Sequence, residues 1–268
     1  MKRRAYSTDV TDQEWQVLEP EVPPPKPGGR PAKYTRREIV NAIFYVLRTG
    51  CQWRLLPHDF PPWQIVYYYF RRWQRDGTWE RIHTTLREQA RQALGRNKQP
   101  SAAILDSQSV KTTEKRGPRG YDAGKKINGR KRHLLVDTQG FVLEAHVQKA
   151  DLQDRDGGKP VLEPLREKYT RLSKIWADGG YSGALVDWVY ELRQGRGRRR
   201  ISLEIVRKPK EGGFVVLPKR WIVERTFGWL GRSRRMSKDY EELTDSSQAW
   251  IWIAMIQLMA RRLALAHS

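Results

Sequence analysis

The chain of 268 residues is long enough for one large domain or two modest ones with a sizeable core. Lys and Arg number 51 against 30 Asp and Glu, so the formal net charge is +21 at pH 7. This charge favours a polyanionic partner, of which nucleic acid is the commonest, although a basic protein without such a partner has the same composition. The single cysteine, Cys51, excludes an internal disulfide and a cysteine-based zinc site, and it fits a reducing cytosol.

Neither a secretory signal nor a membrane span is expected from the sequence. The basic N-terminus is not followed by an apolar run. The longest apolar stretch, residues 249–259, is shorter than the roughly 18 residues of a membrane span and predicts a packed helix. We therefore expect no membrane partner.

The N-terminal part, residues 1–98, is predicted to be a small helical domain. The predicted helices cover residues 11–20, 35–50, 62–75 and 79–94. Thr11 and Glu14 have the spacing of a capping box, which opens a helix. Short helices with Arg71, Arg72 and Arg75 suit a helix-turn-helix-like DNA-binding module, and a plain helical bundle fits them equally well.

The C-terminal part, residues 99–268, changes to strands that alternate with helices. Predicted strands cover residues 102–105, 132–136, 141–147, 174–177, 201–206 and 214–217. Predicted helices cover residues 158–170, 182–192, 219–233 and 245–265. This order indicates an α/β domain with a mixed sheet and flanking helices. The division predicts two domains, 1–98 and 99–268.

Two aspartates have the same predicted setting, at the C-terminal end of a short buried strand. Asp106 follows the strand at 102–105, and Asp178 follows the strand at 174–177. The carboxyl ends of strands are where α/β sheets place ligands. Two neighbouring carboxylates repel each other unless a cation neutralises them. A divalent metal site and two aspartates that merely cap loops remain even alternatives here.

The third candidate carboxylate, Glu224, lies in a predicted helix four residues after Arg220. The two side chains share a side of that helix, as in an ordinary surface ion pair. The functional alternative is a metal-binding glutamate beside an arginine that holds a phosphate. Between Arg193 and Lys238 there are fifteen Lys or Arg and three Glu. A lone carboxylate among so many cations favours the functional alternative.

Basic residues are concentrated after the first aspartate and around the last helices. The segment 111–132 carries nine Lys or Arg against two acids, and we predict a loop that contacts backbone phosphates. Asp154 is a candidate supporting residue beside the carboxylates, and His133 is a candidate half-buried structural histidine. The predicted DNA contacts are Lys111, Lys125, Lys126, Arg130, Arg132, Arg220, Arg225, Arg232, Arg234, Arg235 and Lys238.

Three phrases in this order carry a resemblance to a known family. They are ILDSQSVK at 104–111, ADGGY at 177–181 and WIVERTFGWL at 221–230. With these phrases, and with WRLLP at 53–57 and FRRW at 70–73, the chain resembles the transposases of bacterial insertion sequences over nearly its whole length. The nearest group is the insertion-sequence-five group of the insertion-sequence-four superfamily.

The resemblance implies an RNase H-like fold with a catalytic triad of Asp106, Asp178 and Glu224. It implies Mg²⁺ as cofactor, with two ions about 4 Å apart in an in-line displacement and Mn²⁺ as a substitute. Arg220 matches the arginine of the family's signature. Leu217 and Gly231 stand where that signature has a tyrosine and a basic residue, which leaves the phosphate contacts open.

The implied function is a DNA transposase that binds the terminal inverted repeats of an insertion sequence, cuts there and joins the ends to a target. The implied partner is double-stranded DNA, held by a homodimer, in the bacterial cytoplasm beside the nucleoid. The residues alone also permit a metal-dependent endonuclease without strand transfer. A catalytically silent DNA-binding derivative is the third alternative.

Overall fold

The structure is a computed structural model that describes residues 3–25, 28, 32–114, 116–193, 199–206 and 219–266. It divides into two compact units. The first unit comprises Met1–Arg96, Leu230–Ser237 and Ala249–Ser268, and the second comprises Asn97–Trp229 and Lys238–Gln248. The division after Arg96 lies beside the predicted boundary. The first unit, however, also includes two C-terminal segments that the sequence-based division places in the second domain.

The four predicted N-terminal helices are all confirmed. They are α1 (Asp12–Leu18), α2 (Arg36–Thr49), α3 (Trp63–Arg75) and α4 (Thr78–Ala93). The side chain of Thr11 accepts a hydrogen bond from the backbone N–H of Glu14, whose carboxylate accepts one from the N–H of Thr11, so the capping box forms. Gly50 ends α2 with a φ of 70°, a left-handed conformation that suits glycine.

The last helix of the chain is longer than the apolar stretch that predicted it, and it runs over Thr244–Ala266. Within the first unit, the ring of Trp250 lies 4.7 Å from that of Phe70 and 5.7 Å from that of Trp53. In the part of the chain that the structure describes, it is the one helix whose length and composition would suffice to cross a membrane. Of its most apolar window, 61% is buried, which is typical of a core helix.

Within the described residues, the second unit is built on a six-stranded mixed sheet. Its strands are β1 (Ala102–Lys111), β2 (Gly120–Asp122), β3 (Ile127–Asp137), β4 (Val142–Lys149), β5 (Lys174–Ala177) and β6 (Ser202–Ile205). The order is β2-β3-β1-β5-β6, and β4 pairs with β3 on the edge that β2 also uses. β1 is antiparallel to β3 and parallel to β5, which is itself parallel to β6. The prediction of a mixed sheet is confirmed.

Two predictions about the first strands are wrong. β1 does not end at Asp106 but continues to Lys111, and the predicted loop after it is partly sheet. The physical reason is the long antiparallel pairing with β3, which covers β1 from Ala103 to Lys111. Alternating polar residues such as Ser107 are easily mistaken for a loop in the sequence, although a strand with one polar face has the same pattern.

Helices cover both faces of this sheet. They are α5 (Asp154–Leu162), α6 (Ala184–Glu191) and α7 (Arg220–Gly231). The last helix of the chain, Thr244–Ala266, is labelled α8 and belongs mostly to the first unit. Leu105 of β1 lies in the buried cluster that includes Val161 of α5 and Leu185 of α6. Asp106, the next residue, points to the opposite face, where Arg220 of α7 contacts it. Successive residues of β1 therefore serve a hydrophobic core and a polar site.

α5 begins at Asp154, four residues before its predicted start. It ends at Leu162, well before the predicted end at residue 170, and a 3-10 turn follows over Glu163–Arg166. The helix contains the Gly157–Gly158 pair, although glycine disfavours helix interiors. In the structure, a Cβ at Gly157 would collide with the side chains of His133 and Gln148. The glycine is thus required by the close approach of α5 to the sheet. The strand predicted at 214–217, with Leu217, lies outside the described residues.

Candidate active site

Asp106 and Asp178 are brought together by the parallel pairing of β1 with β5. The last paired residues are Leu105 and Ala177, each directly before one of the aspartates. β5 ends there, and Asp178 caps a short 3-10 turn by accepting a hydrogen bond of 3.0 Å from the backbone N–H of Gly180. Both carboxylates therefore lie where the two strands part. Asp178 follows the end of β5 as predicted, whereas Asp106 lies within β1 and not at a strand end.

Arg220, from the first turn of α7, bridges the two carboxylates. Its Nη2 lies 3.3 Å from Oδ2 of Asp106 and 3.6 Å from Oδ2 of Asp178. The side chain of Arg220 is 18% exposed, that of Asp106 12% and that of Asp178 29%, so the bridge is largely shielded and Asp178 is its most exposed member. A cation placed between two carboxylates is the arrangement that their mutual repulsion requires.

Burial is the main influence on Asp106 and raises the pKa of its carboxyl. The backbone N–H of Ser107 donates to Oδ1 at 2.7 Å and lowers that pKa, the Asp178 carboxylate raises it, and Arg220 lowers it. The net direction is upward. Any further positive charge placed beside Asp106 would consequently stabilise its ionised form.

Glu224 follows Arg220 by one helical turn and is exposed. Among the described residues, no group of three or more His, Cys, Asp or Glu side chains is assembled closely enough to hold a metal ion. The structure thus brings two of the three predicted carboxylates together, Asp106 and Asp178. The third, Glu224, lies on α7 one turn after Arg220. Glu224 stays a prediction.

A polar layer that sequence reasoning largely missed supports this pair from the α5 side of the sheet. Asp154, at the start of α5, accepts a hydrogen bond of 2.9 Å from Ser107 Oγ and forms an ion pair of 3.2 Å with Lys131. The Nζ of Lys125 donates to the carbonyl oxygen of Ser107 at 3.1 Å. The expectation that Asp154 stands beside the site agrees with these contacts. Lys131 lies opposite Ser109 of β1, and only the register of β1 with β3 reveals this pairing.

His133 is fully buried, not half-buried as predicted. Its Nδ1 lies 2.9 Å from the hydroxyl oxygen of Tyr181, and its Nε2 lies 3.0 Å from Nε2 of Gln148. Burial lowers the pKa of His133 well below its ordinary value, so the ring is neutral. The structural role expected for this histidine agrees with its surroundings.

The predicted DNA contacts fall into two groups in the structure. Exposed side chains are Lys111, Lys125, Lys126, Arg232, Arg234 and Lys238. Arg220 and Arg225 are half-buried, and Arg225 donates to the carbonyl oxygen of Gln139 at 2.9 Å while its guanidinium lies over the rings of Trp221 and Trp229. These eight residues remain candidates for contact with DNA.

Three arginines predicted to contact DNA are buried instead. Arg130 is 1% exposed and forms an ion pair of 3.1 Å with Asp239. Arg132 donates to the carbonyl oxygen of Lys238, and burial lowers its pKa to about 10. Arg235 donates to the carbonyl oxygen of Cys51 at 3.2 Å. These side chains bind protein atoms, so we remove them from the proposed DNA contacts.

Comparison with known families agrees with the geometry. A family model described as a transposase DDE domain matches residues 97–259, which is more than half of the chain. A second model, described as a putative transposase of the IS4/5 family, matches residues 10–83. No solved structure matches the chain.

Two curated relatives come from Burkholderia cepacia. The insertion element IS402 uncharacterized 16.2 kDa protein is 34% identical over 110 residues, which are 38% of this chain and 72% of the relative. The putative transposase for insertion sequence element IS402 is 28% identical over 144 residues, which are 51% of this chain and 64% of the relative. Together with the two family models, these matches confirm the resemblance drawn from the three sequence phrases. The chain belongs to the DDE transposases of bacterial insertion sequences.

Proposed function

We propose that this protein cuts the ends of an insertion sequence and joins them to target DNA. The observation that carries the proposal is the pair of carboxylates, Asp106 and Asp178, held around one arginine within a transposase DDE domain. The proposed fold of this domain is RNase H-like. It is supported by the central parallel strands β1 and β5, by the antiparallel strands β3 and β4, and by helices on both faces.

The residues present fit a divalent cation. Arg220 already places a positive charge against both carboxylates, and carboxylate oxygens are the donors that Mg²⁺ prefers. Asp106 and Asp178 are the residues that would hold Mg²⁺ or its substitute Mn²⁺, and Glu224 is the proposed third ligand. Two such ions, when bound, would lower the pKa of the attacking water and stabilise the leaving oxygen.

The side chains of this chain have separate roles in the reaction. Arg220 neutralises the aspartate pair and, with five N–H donors, is suited to hold a phosphate oxygen of the DNA strand. The bond between Asp106 and the N–H of Ser107 fixes the carboxylate on β1. The first cut releases a 3′ hydroxyl group, and the same site then brings that hydroxyl to the target phosphodiester.

Other parts of the chain are proposed to hold the DNA. The exposed lysines Lys111, Lys125, Lys126 and Lys238 bind backbone phosphates of double-stranded DNA, so that affinity falls steeply with salt. The N-terminal helices read the terminal inverted repeats as a helix-turn-helix-like module. We further propose a homodimer that holds two ends together, in the cytoplasm beside the nucleoid.

The test is a strand-transfer assay with labelled element ends, the full-length protein and Mg²⁺. The unchanged protein is expected to give both cut ends and joined products. Asp178→Asn is expected to bind the ends as before and to lose cleavage by at least about a thousandfold, because one ligand of the cation is removed. Asp187→Asn, an exposed aspartate on α6, is the matched control and is expected to remain active.

The outcome separates the three functions. Cut ends without joined product would make the protein an endonuclease. DNA binding without any cutting, in Mg²⁺ and in Mn²⁺, would make it a silent derivative. Full cleavage by Asp178→Asn would remove this aspartate from the site and contradict the proposal.

A further inference from the structure

A basic surface lies at the outer end of the sheet and includes three of the lysines proposed to bind duplex phosphates, Lys111, Lys126 and Lys238. It is a groove of about 610 Å³, which we name the β2 groove. It is lined by Lys111, Thr112, Thr113, Glu114, Arg119, Tyr121, Lys126, Asn128 and Lys238. Among these described residues there are four cations and one acid. The excess of positive charge favours an anionic ligand.

The volume of the groove limits what can enter it. Sites for small ligands have volumes of about 300 to 1,000 Å³, and the β2 groove falls within this range. A nucleotide fits such a space, whereas a duplex would contact the lysines at its rim without entering. The groove is therefore matched to one or two nucleotides of a strand.

Tyr121 makes the groove suitable for a base as well as for phosphates. Its side chain is 56% exposed, an unusual exposure for a large aromatic ring on a sheet. It lies on β2 directly opposite Asn128 of β3, whose amide can donate to and accept from a base edge. Aromatic rings among cations are the elements that bind unpaired nucleic acid, because bases stack on the ring while the cations bind phosphates.

The wall of the groove is fixed by buried contacts. Thr112 forms a β-bridge with Asp239, and the N–H of Asp239 donates to the carbonyl oxygen of Lys111 at 2.8 Å. The Asp239 carboxylate is in turn paired with buried Arg130. Lys111 and Lys238 thus stand on a rigid support, which reduces the entropy lost when they bind a ligand.

Asn128 and Tyr121 of the β2 groove lie on the same face of the sheet as Asp106. Asp106 pairs with Leu134 of β3, and Asn128 lies six residues before Leu134 on that strand. An even separation on a strand places both residues on one face, at roughly 20 Å from each other. At 3.4 Å per nucleotide along a duplex strand, this is about six nucleotides. Arg130 and Arg132 lie between them on this face and are buried beneath residues 238–242, so a strand that reaches from Asp106 to the groove would pass over that segment.

We propose that the β2 groove binds an unpaired nucleotide of the DNA strand, with its base stacked on Tyr121 and its neighbouring phosphates bound by Lys111, Arg119, Lys126 and Lys238. This inference rests on the proposed function, because it takes DNA as the substrate. It adds a site for single-stranded DNA to an enzyme whose proposed substrate is duplex. The site holds a strand that is unpaired near the cut.

The experiment measures binding by fluorescence anisotropy with the full-length protein in EDTA, so that no cleavage is required. The probes are a blunt duplex and the same duplex with a thymidine overhang on either the 3′ or the 5′ side. Tyr121→Leu is expected to lose about tenfold in affinity for one overhang probe and nothing for the blunt probe, because stacking of a base is lost. Tyr121→Phe keeps the ring and is expected to bind as the unchanged protein does.

Two further variants control for position and charge. Tyr190→Leu removes another exposed tyrosine, on α6, and is expected to change neither affinity. Lys126→Gln is expected to weaken binding of the overhang probe and to lower the slope of log affinity against log salt by a little under one. As an independent measurement, an overhang that carries 5-iodouracil is expected to cross-link to Tyr121 in the unchanged protein.

Equal affinity of Tyr121→Leu and the unchanged protein for both overhangs would overturn the inference, and so would a cross-link confined to other residues. A loss in Tyr121→Phe as large as in Tyr121→Leu would exclude stacking. Absence of all DNA binding would overturn this inference together with the proposed function. Overhang binding that depends on Tyr121, in a protein that does not cut, would overturn only the proposed function.

Discussion

At the scale of single residues, the main finding is that an arginine occupies the centre of the aspartate pair. Arg220 was predicted as a neighbour of Glu224 and a phosphate contact, but its Nη2 is shared between Asp106 and Asp178. It therefore competes with any metal ion for the same two carboxylates. A cation that enters must weaken these ion pairs.

This competition predicts that Arg220→Gln binds Mg²⁺ more tightly than the unchanged protein in the absence of DNA. Loss of the guanidinium leaves two carboxylates without their internal cation. The expected gain is about tenfold in affinity, or ~1.4 kcal/mol. Calorimetric titration of the full-length protein with Mg²⁺ measures it.

Arg225→Gln is the matched control, because Arg225 is on the same helix but donates to the carbonyl oxygen of Gln139. It is expected to leave the affinity for Mg²⁺ unchanged. If Arg220→Gln bound Mg²⁺ no better than Arg225→Gln, the aspartate pair would not be the metal site.

At the scale of elements, the antiparallel pairing of β1 with β3 decides which basic residues face solvent. Arg130 and Arg132 lie on β3 and are buried, whereas Lys126 in the preceding turn is exposed. Arg130 is held by Asp239 Oδ1, by Ser247 Oγ and by the carbonyl oxygens of Glu241 and Glu242. This arginine links the sheet to the segment that follows α7.

Asp239→Ala is expected to lower the free energy of unfolding by about 3 to 5 kcal/mol, because it leaves Arg130 buried without its carboxylate. Urea denaturation followed by circular dichroism measures the loss. Asp187→Ala, at an exposed position, is expected to change stability by no more than about 0.5 kcal/mol.

The double variant Arg130→Met with Asp239→Ala separates the ion pair from its surroundings. It is expected to be more stable than Asp239→Ala alone, since no charge is then buried without a partner. A double variant less stable than the single one would show that packing of the Arg130 stem, not its charge, dominates.

At the scale of the whole molecule, the first compact unit is not formed by the N-terminal residues alone. It includes Ala249–Ser268, and Trp250 from this segment is 1% exposed beside Phe70. An N-terminal fragment that ends at residue 98 would expose this aromatic cluster. We therefore expect that residues 1–98 alone do not fold independently.

The prediction is that residues 1–98, expressed alone, keep helical circular dichroism but lose cooperative thermal unfolding. Burial of a large aromatic side chain such as Trp250 contributes about 3 to 5 kcal/mol to the free energy of unfolding. A small helical unit is too marginally stable to fold cooperatively without this contribution. The control is the same fragment joined to residues 249–266 by a flexible linker, which is expected to recover a cooperative transition. A sharp transition in the shorter fragment would contradict the prediction.

What the sequence determined was local. Thr11 with Glu14 gave the start of α1, the glycine at 50 gave the end of α2, and the order of strands and helices gave a mixed α/β unit. These features were predictable because the interacting groups are a few residues apart and their geometry is fixed by the backbone. The family was predictable because the three phrases at 104–111, 177–181 and 221–230 occur together and in a fixed order, which makes them specific as a set.

What only the tertiary structure decided depends on register across the sheet. The pairing of β1 with β3 extends the strand past Asp106 to Lys111, buries Arg130, and sets Tyr121 opposite Asn128. Arg220 contacts Asp178 and also Asp106, which is more than a hundred positions away in the sequence. A shift of strand register by one residue would move the strand side chains among them, such as Arg130 and Tyr121, to the opposite face of the sheet. Charge alone therefore could not distinguish an arginine that binds DNA from one that holds the protein together.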